Sequence, residues 1–81
     1  MDITLNYKYK NAEIVIIIED DCITTAKTYI DGKMVDSFEV ETEDGKDVPF
    51  KKDNLISVQK MCKEGVDKIW AEEMATALAT A

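Results

Sequence analysis

CITTAKTYIDGKMVDSFEV, Cys22 to Val40, reads as two β-rich runs joined by Asp31-Gly32. Glycine there supplies the positive φ of a primed turn, so the stretch predicts a tight antiparallel hairpin. With Ile30 opposite Lys33, Tyr29 faces Met34, Lys27 faces Asp36, Thr25 faces Phe38 and Ile23 faces Val40. One face of that hairpin is mostly apolar and carries the Lys27–Asp36 ion pair. The other holds Ala26, Thr28, Ile30, Val35, Ser37, Glu39 and Glu41.

Upstream, ITLNYKYK alternates, with Ile3, Leu5, Tyr7 and Tyr9 on one side of a half-buried strand. EIVIIIEDD follows after Asn11-Ala12. A two-residue turn at Asn11-Ala12 pairs Lys10 with Glu13, Tyr9 with Ile14, Tyr7 with Ile16 and Leu5 with Ile18. Val15 and Ile17 then point to the opposite face, the mark of a central strand. Glu13, Glu19, Asp20 and Asp21 bracket this aggregation-prone run as gatekeepers. Short links favour neighbouring strands, so residues 1–42 form a four-stranded antiparallel sheet in the order 1-2-3-4.

Downstream, residues 43–52 read as an acidic loop, and from Asp53 the period becomes helical. Leu55, Val58, Cys62, Val66 and Ile69 trace a buried stripe, continued by Ala77 and Leu78, with Asp53 or Asn54 as cap. Lys60–Glu64, Lys63–Asp67 and Glu64–Lys68 are spaced as solvent-face pairs. One helix over residues 53–79 would reach roughly 40 Å. A strand of about eight residues covers only about 27 Å. Either Gly65 interrupts the helix or the alanine-rich tail projects. Residues 53–81 read as a helix to about Ala71 and an alanine-rich tail, the tail helical when packed and frayed otherwise. The alternative is a tail that folds over the exposed sheet face. The whole chain, 1–81, is a single α+β domain with its C-terminal helix on one sheet face.

The composition excludes several function classes. Seventeen acids stand against ten lysines, with neither arginine nor histidine, for a net charge of −7. That charge repels phosphate backbones and anionic lipid, so neither direct nucleic-acid binding nor membrane binding is expected. Without histidine the usual neutral-pH acid–base group and the Ser/His and Cys/His nucleophile pairs are missing. Cys62 falls on the buried stripe, and Cys22, following the acids EDD, lacks the electropositive surroundings of a reactive thiol. Two cysteines suit a reducing compartment, and the start lacks the build of a signal peptide. The expectation is a complete cytoplasmic protein, not an enzyme, with no cofactor and no metal. An EF-hand alignment on Gly45 fails, placing Val40 and Lys51 where acids are required.

Two surfaces remain. FEVETEDGKD, Phe38 to Asp47, carries Glu39, Glu41 and Glu43 on alternate positions, followed by Asp44 and Asp47. On an extended strand alternate side chains stand about 6.8 Å apart, close to the spacing of successive nucleic-acid phosphates. Such a row fits a cationic groove built for DNA or RNA, with Glu19, Asp20 and Asp21 as a second cluster. Edge protection against sheet aggregation is the competing explanation, but it needs only one or two charges. The second surface is an apolar sheet face of Val15, Ile17, Ile30 and Val35, beside Lys8, Thr28 and Lys33.

Small acidic stand-alone proteins of this build resemble phage-encoded anti-defence inhibitors, anti-CRISPR proteins among them. The acidic row points to a protein-binding inhibitor whose partner is a larger, basic, nucleic-acid-binding protein, with Glu39, Glu41, Glu43, Asp44 and Asp47 as phosphate surrogates. The alternative is an assembly protein that dimerises through Val15, Ile17, Ile30 and Val35. The inhibitor would act as a monomer and the assembly protein as a homodimer.

Overall fold

A computed structural model of the chain describes residues 2–80. Strands β1 (Ile3–Tyr9), β2 (Ala12–Glu19), β3 (Cys22–Ile30) and β4 (Lys33–Glu39) form one antiparallel sheet in the order β1-β2-β3-β4. A short fifth strand, β5 (Val48–Pro49), pairs with the start of β3, and helix α1 (Lys52–Thr80) follows it. The α+β architecture agrees with the sequence reading. The added strand lies within the segment read as loop, where Val48 pairs with Ile23 and Pro49 with Cys22.

Each hairpin turn rests on backbone that few residues tolerate. The first turn is Lys10-Asn11, with Lys10 at φ +55°, and Tyr9 pairs with Ala12. The expected turn at Asn11-Ala12 was therefore one residue late. The resulting two-residue shift leaves every side chain on its expected face. It also brings Ala12 into the core and adds an Ile3–Ile18 pair. Asp20 and Asp21 form the second turn at φ +50° and +61°. Short polar side chains accept this left-handed region better than most. Asp31 and Gly32 form the third turn, with Ile30 opposite Lys33 and Tyr29 opposite Met34 as expected.

Beyond that turn a β-bulge at Val35 changes the register. Thr28 now faces Asp36, Lys27 faces Ser37, Ala26 faces Phe38 and Thr25 faces Glu39. The expected Lys27–Asp36 and Thr25–Phe38 pairs are not made. The extra residue turns Phe38 toward the buried face of Ala26, where it packs against the core. A second irregularity leaves Thr24 unpaired between Ile23 and Thr25, and its hydroxyl donates to the Ile17 carbonyl at 3.2 Å.

The core lies between the sheet and α1. Ile14, Ile16, Ile18 and Ile23 are fully buried with Ala12 and Ala26, and Val58, Cys62 and Val66 close over them from the helix. Each buried isoleucine contributes on the order of 2–3 kcal/mol of transfer free energy. That concentration of isoleucine on one sheet face is what holds a chain of this size together. Thr28 is the buried polar residue among the described ones.

Helix α1 starts at Lys52, and the Leu55 amide donates to the Lys51 carbonyl at 2.9 Å. Neither Asp53 nor Asn54 occupies the cap position. Asn54 instead reaches back to donate to the Pro49 carbonyl at 2.8 Å. The helix runs unbroken through Gly65, because Cys62 and Val66 are buried on either side of it. That packing outweighs the roughly 1 kcal/mol cost of an interior glycine. It also continues past Ala71 to Thr80, as alanine, glutamate, methionine and leucine favour. The last ten helical residues extend about 15 Å, and Leu78 is 76 % exposed. The tail therefore projects and does not fold over the open sheet face. Among the described residues no helix is long and apolar enough to cross a membrane.

Candidate functional site

The helix begins beside the β2–β3 turn, where the Phe50 amide donates to the Asp21 carbonyl, and it travels toward the β1–β2 turn. Two corners at opposite ends of the sheet follow from this diagonal, and they treat charge differently.

At the β1–β2 corner, Asp67 of the helix accepts hydrogen bonds from Tyr9 Oη at 2.9 Å and Lys10 Nζ at 2.6 Å. Trp70 Nε1 donates to Asn11 Oδ1 at 2.9 Å, and the Lys10 ammonium stands 5.5 Å from the Trp70 ring. The Lys10 hydrogen bond, then that of Tyr9, holds the Asp67 carboxyl below the usual carboxylate range. The same bonds raise the Tyr9 phenol and the Lys10 ammonium. The sequence spacing predicts an intrahelical Lys63–Asp67 pair. Lys10–Asp67 is instead the ion pair formed among the described residues. Lys63 lies over the Tyr9 ring at 5.6 Å.

At the opposite corner, β4 ends at Glu39 and the chain makes a small excursion before returning as β5. The Val40 amide donates to the Thr24 carbonyl, so the segment still follows β3. Glu41 and Asp47 then form an antiparallel bridge. The tip between them is closed by Thr42 N to Lys46 O at 3.0 Å and Gly45 N to Thr42 O at 2.9 Å, with Gly45 at φ +76°. Thr42 Oγ1 also accepts from the Lys46 amide at 3.0 Å.

Glu19, Glu39, Glu41 and Asp47 together line a shallow depression of about 310 Å³, with Thr24, Thr25 and Val40. Thr24 Oγ1 donates to Glu19 Oε1 at 3.3 Å. None of these four carboxylates makes an ion pair with a described residue. Antiparallel partners project to the same side, so the Glu41 and Asp47 side chains leave the bridge on one face.

The expected evenly spaced row is not built. Glu43 and Asp44 occupy the turn of the excursion, off the extended path that would have aligned them with Glu39 and Glu41. The second cluster divides as well. Glu19 joins the depression, while Asp20 and Asp21 are exposed turn residues. Thr24 and Thr25 were missed as site residues, since threonine on a strand carries no signal beyond β propensity.

The apolar patch is also divided. Val15 and Ile17 lie on the face away from the helix, half-buried beside Lys27 and Thr25. Ile30 pairs with Ala12 and so belongs to the helix-covered face, as does Thr28 opposite Ile14. Val35 is the exposed extra residue of the β4 bulge. The four residues do not form one surface.

Cys22 and Cys62 are free thiols, Cys22 half-buried and Cys62 buried. Burial pushes the Cys62 thiol up, against the opposite effect of a hydrogen bond with the Thr28 side chain. Another depression, of about 320 Å³, mixes Lys8 and Lys10 with Glu13 and Asp31 and has no charge bias. Among the described residues no group of three His, Cys, Asp or Glu side chains is placed to hold a metal ion. No protein-family model matches the chain, and no curated protein and no solved structure matches it either.

Proposed function

We propose that the protein is a non-enzymatic inhibitor that occupies the basic, nucleic-acid-binding surface of a larger protein, in the manner of phage-encoded anti-defence proteins such as anti-CRISPRs. The Glu41–Asp47 bridge carries this reading. Two acids sit opposite one another on the bridged backbone, with Glu39 and Glu19 lining the same depression and no ion pair to a described residue. Edge protection needs charge on a strand edge but no like-charged pair across a bridge. Lysines or arginines of a partner would relieve that repulsion on binding, so the local cost becomes part of the affinity. Glu43 and Asp44 at the tip, and Asp20 and Asp21 at the neighbouring turn, widen the anionic surface without belonging to the depression.

The test is affinity capture from a bacterial lysate at low and high salt. The probes are the native chain and the triple variant Glu39→Gln, Glu41→Gln, Asp47→Asn. The expected result is a basic protein retained at low salt, released by high salt, lost with the triple variant, and displaced from its nucleic acid by the native chain. Equal retention by the variant rejects the reading. The alternative of dimerisation through Val15, Ile17, Ile30 and Val35 draws less support, because those residues are divided between two faces and a bulge.

A further inference from the structure

The two edges of the sheet are finished differently. β4 carries the bulge at Val35, charges at Lys33, Asp36 and Glu39, and the excursion that returns as β5. β1 is seven residues long and pairs on one side only, and it has neither bulge nor proline. Its sole charged side chain is Lys8. Tyr9 and Ala12 close a two-residue turn as a hydrogen-bonded pair, so Ile3, Leu5, Tyr7 and Tyr9 direct their backbone groups to β2. Thr4, Asn6 and Lys8 direct theirs outward. Such an edge is a template for another strand.

We propose that the outer edge of β1 pairs antiparallel with β1 of a second copy, about a two-fold axis at Asn6. The sequence of the strand is complementary to itself in that register. Asn6 is the midpoint of Ile3–Tyr9, so all seven residues find partners. Lys8 falls opposite Thr4 of the second copy and Asn6 opposite its own counterpart, and these outward-facing pairs exchange about six backbone hydrogen bonds. Tyr7 meets Leu5 and Tyr9 meets Ile3, in the closer non-hydrogen-bonded pairs and all on the helix side.

The helix diagonal makes this pairing useful. It covers the Tyr9 end of β1 through Asp67 and Trp70, and leaves Ile3 at the other end 37 % exposed. In the dimer each uncovered Ile3 lies beside the covered Tyr9 of the other copy.

Net charge does not forbid the association. β1 carries Lys8 and no acid, whereas the chain's excess acid lies along β4 and the excursion, three strands away. The two β4 edges of the dimer stand roughly 33 Å apart at seven strand spacings. The Debye length at physiological salt is about 8 Å, so their repulsion is largely screened. This interface leaves both acidic corners at the outer ends of a continuous sheet; it does not rest on the inhibitor reading and replaces the monomer expected of an inhibitor with a dimer.

Sedimentation equilibrium of the full chain tests it. The native protein is expected to approach twice its 9.1 kDa mass as concentration rises. Thr4→Lys sets lysine against Lys8 at two symmetric places and weakens the dimer about five- to tenfold, whereas Thr4→Glu strengthens it by a similar factor. Asn6→Pro, which removes only an outward-facing N–H, gives a monomer with unchanged circular dichroism. If Asn6→Pro unfolds, the opposed Thr4 pair still decides. A 9.1 kDa species up to about 1 mM, a dimer indifferent to both Thr4 variants, or one broken by Val15→Asp alone overturns the proposal.

Discussion

The corner at Tyr9–Asn11 and the corner at Glu39–Asp47 stand at opposite ends of one sheet and handle acidic side chains in contrary ways. In the first, Asp67 receives a lysine and a tyrosine hydroxyl and fastens the helix to a hairpin more than fifty residues away in sequence. In the second, four carboxylates share a depression without a described cation. The same residue type thus serves as an internal fastening at one end and as unpaired charge at the other. A carboxylate whose partner is already present is accounted for by the fold. One left without a partner, and set against another of its kind, calls for a different explanation.

Substitutions separate the two corners, beginning with the core that both depend on. Ile16 is fully buried beneath the helix, and Ile16→Ala should cost about 3 kcal/mol, a large share of the stability of so small a domain. Urea unfolding should show both ends lost in a single transition. Two separate transitions would mean that the corners are held independently.

Trp70→Ala removes the bond to Asn11 and the ring beneath Lys10, and should cost about 1–2 kcal/mol. Hydrogen exchange should speed up along residues 71–78 and stay unchanged around Glu41 and Asp47. Faster exchange at both places would erase the contrast.

The pH dependence of the fastening follows from its shifted groups. Because Asp67 titrates below the usual carboxylate range when folded, its contribution is complete above that range and fades as pH falls through the depressed value. Tyr9 and Lys10 are raised, so their contribution is complete below their ordinary values and is lost as pH climbs through the raised ones. The native chain should therefore exceed Asp67→Asn in melting temperature across neutral pH, with the gap closing at both extremes. A gap constant from acid to base would contradict this account. Smallest of all, Glu41→Gln should leave the melting temperature unchanged or slightly raised, since it removes a like-charge opposition. A clear fall would place Glu41 among the structural residues.

Much of the architecture was legible because local signals agreed with one another. Asp31-Gly32 located its turn to the residue, and hairpin pairing with the alternating Leu5, Tyr7 and Tyr9 assigned Ile14, Ile16 and Ile18 to their face. The helix stripe Val58, Cys62, Val66 was equally plain. The Val35 bulge was not, because inserting one residue depends on the reward for burying Phe38 against Ala26, and no alternation pattern records that. The same insertion placed Glu39 beside Thr25 and so helped to assemble the acidic depression. Glu19 joined it from the far end of β2, a neighbour only the closed sheet could reveal. The acidic character of 39–47 was visible in the sequence, whereas its shape was not. β5 is two residues long, too short to leave a periodic trace.

Trp70 is the sole tryptophan of the chain, and it stands where the β1–β2 hairpin meets the helix. Its indole N–H is engaged by Asn11 while the residue remains 36 % accessible, leaving it open to a collisional quencher. The molecule thus carries its own optical gauge of whether hairpin and helix are engaged. Emission wavelength and acrylamide quenching read that junction without an added label, and a ligand seated at the carboxylate end should leave both readings undisturbed.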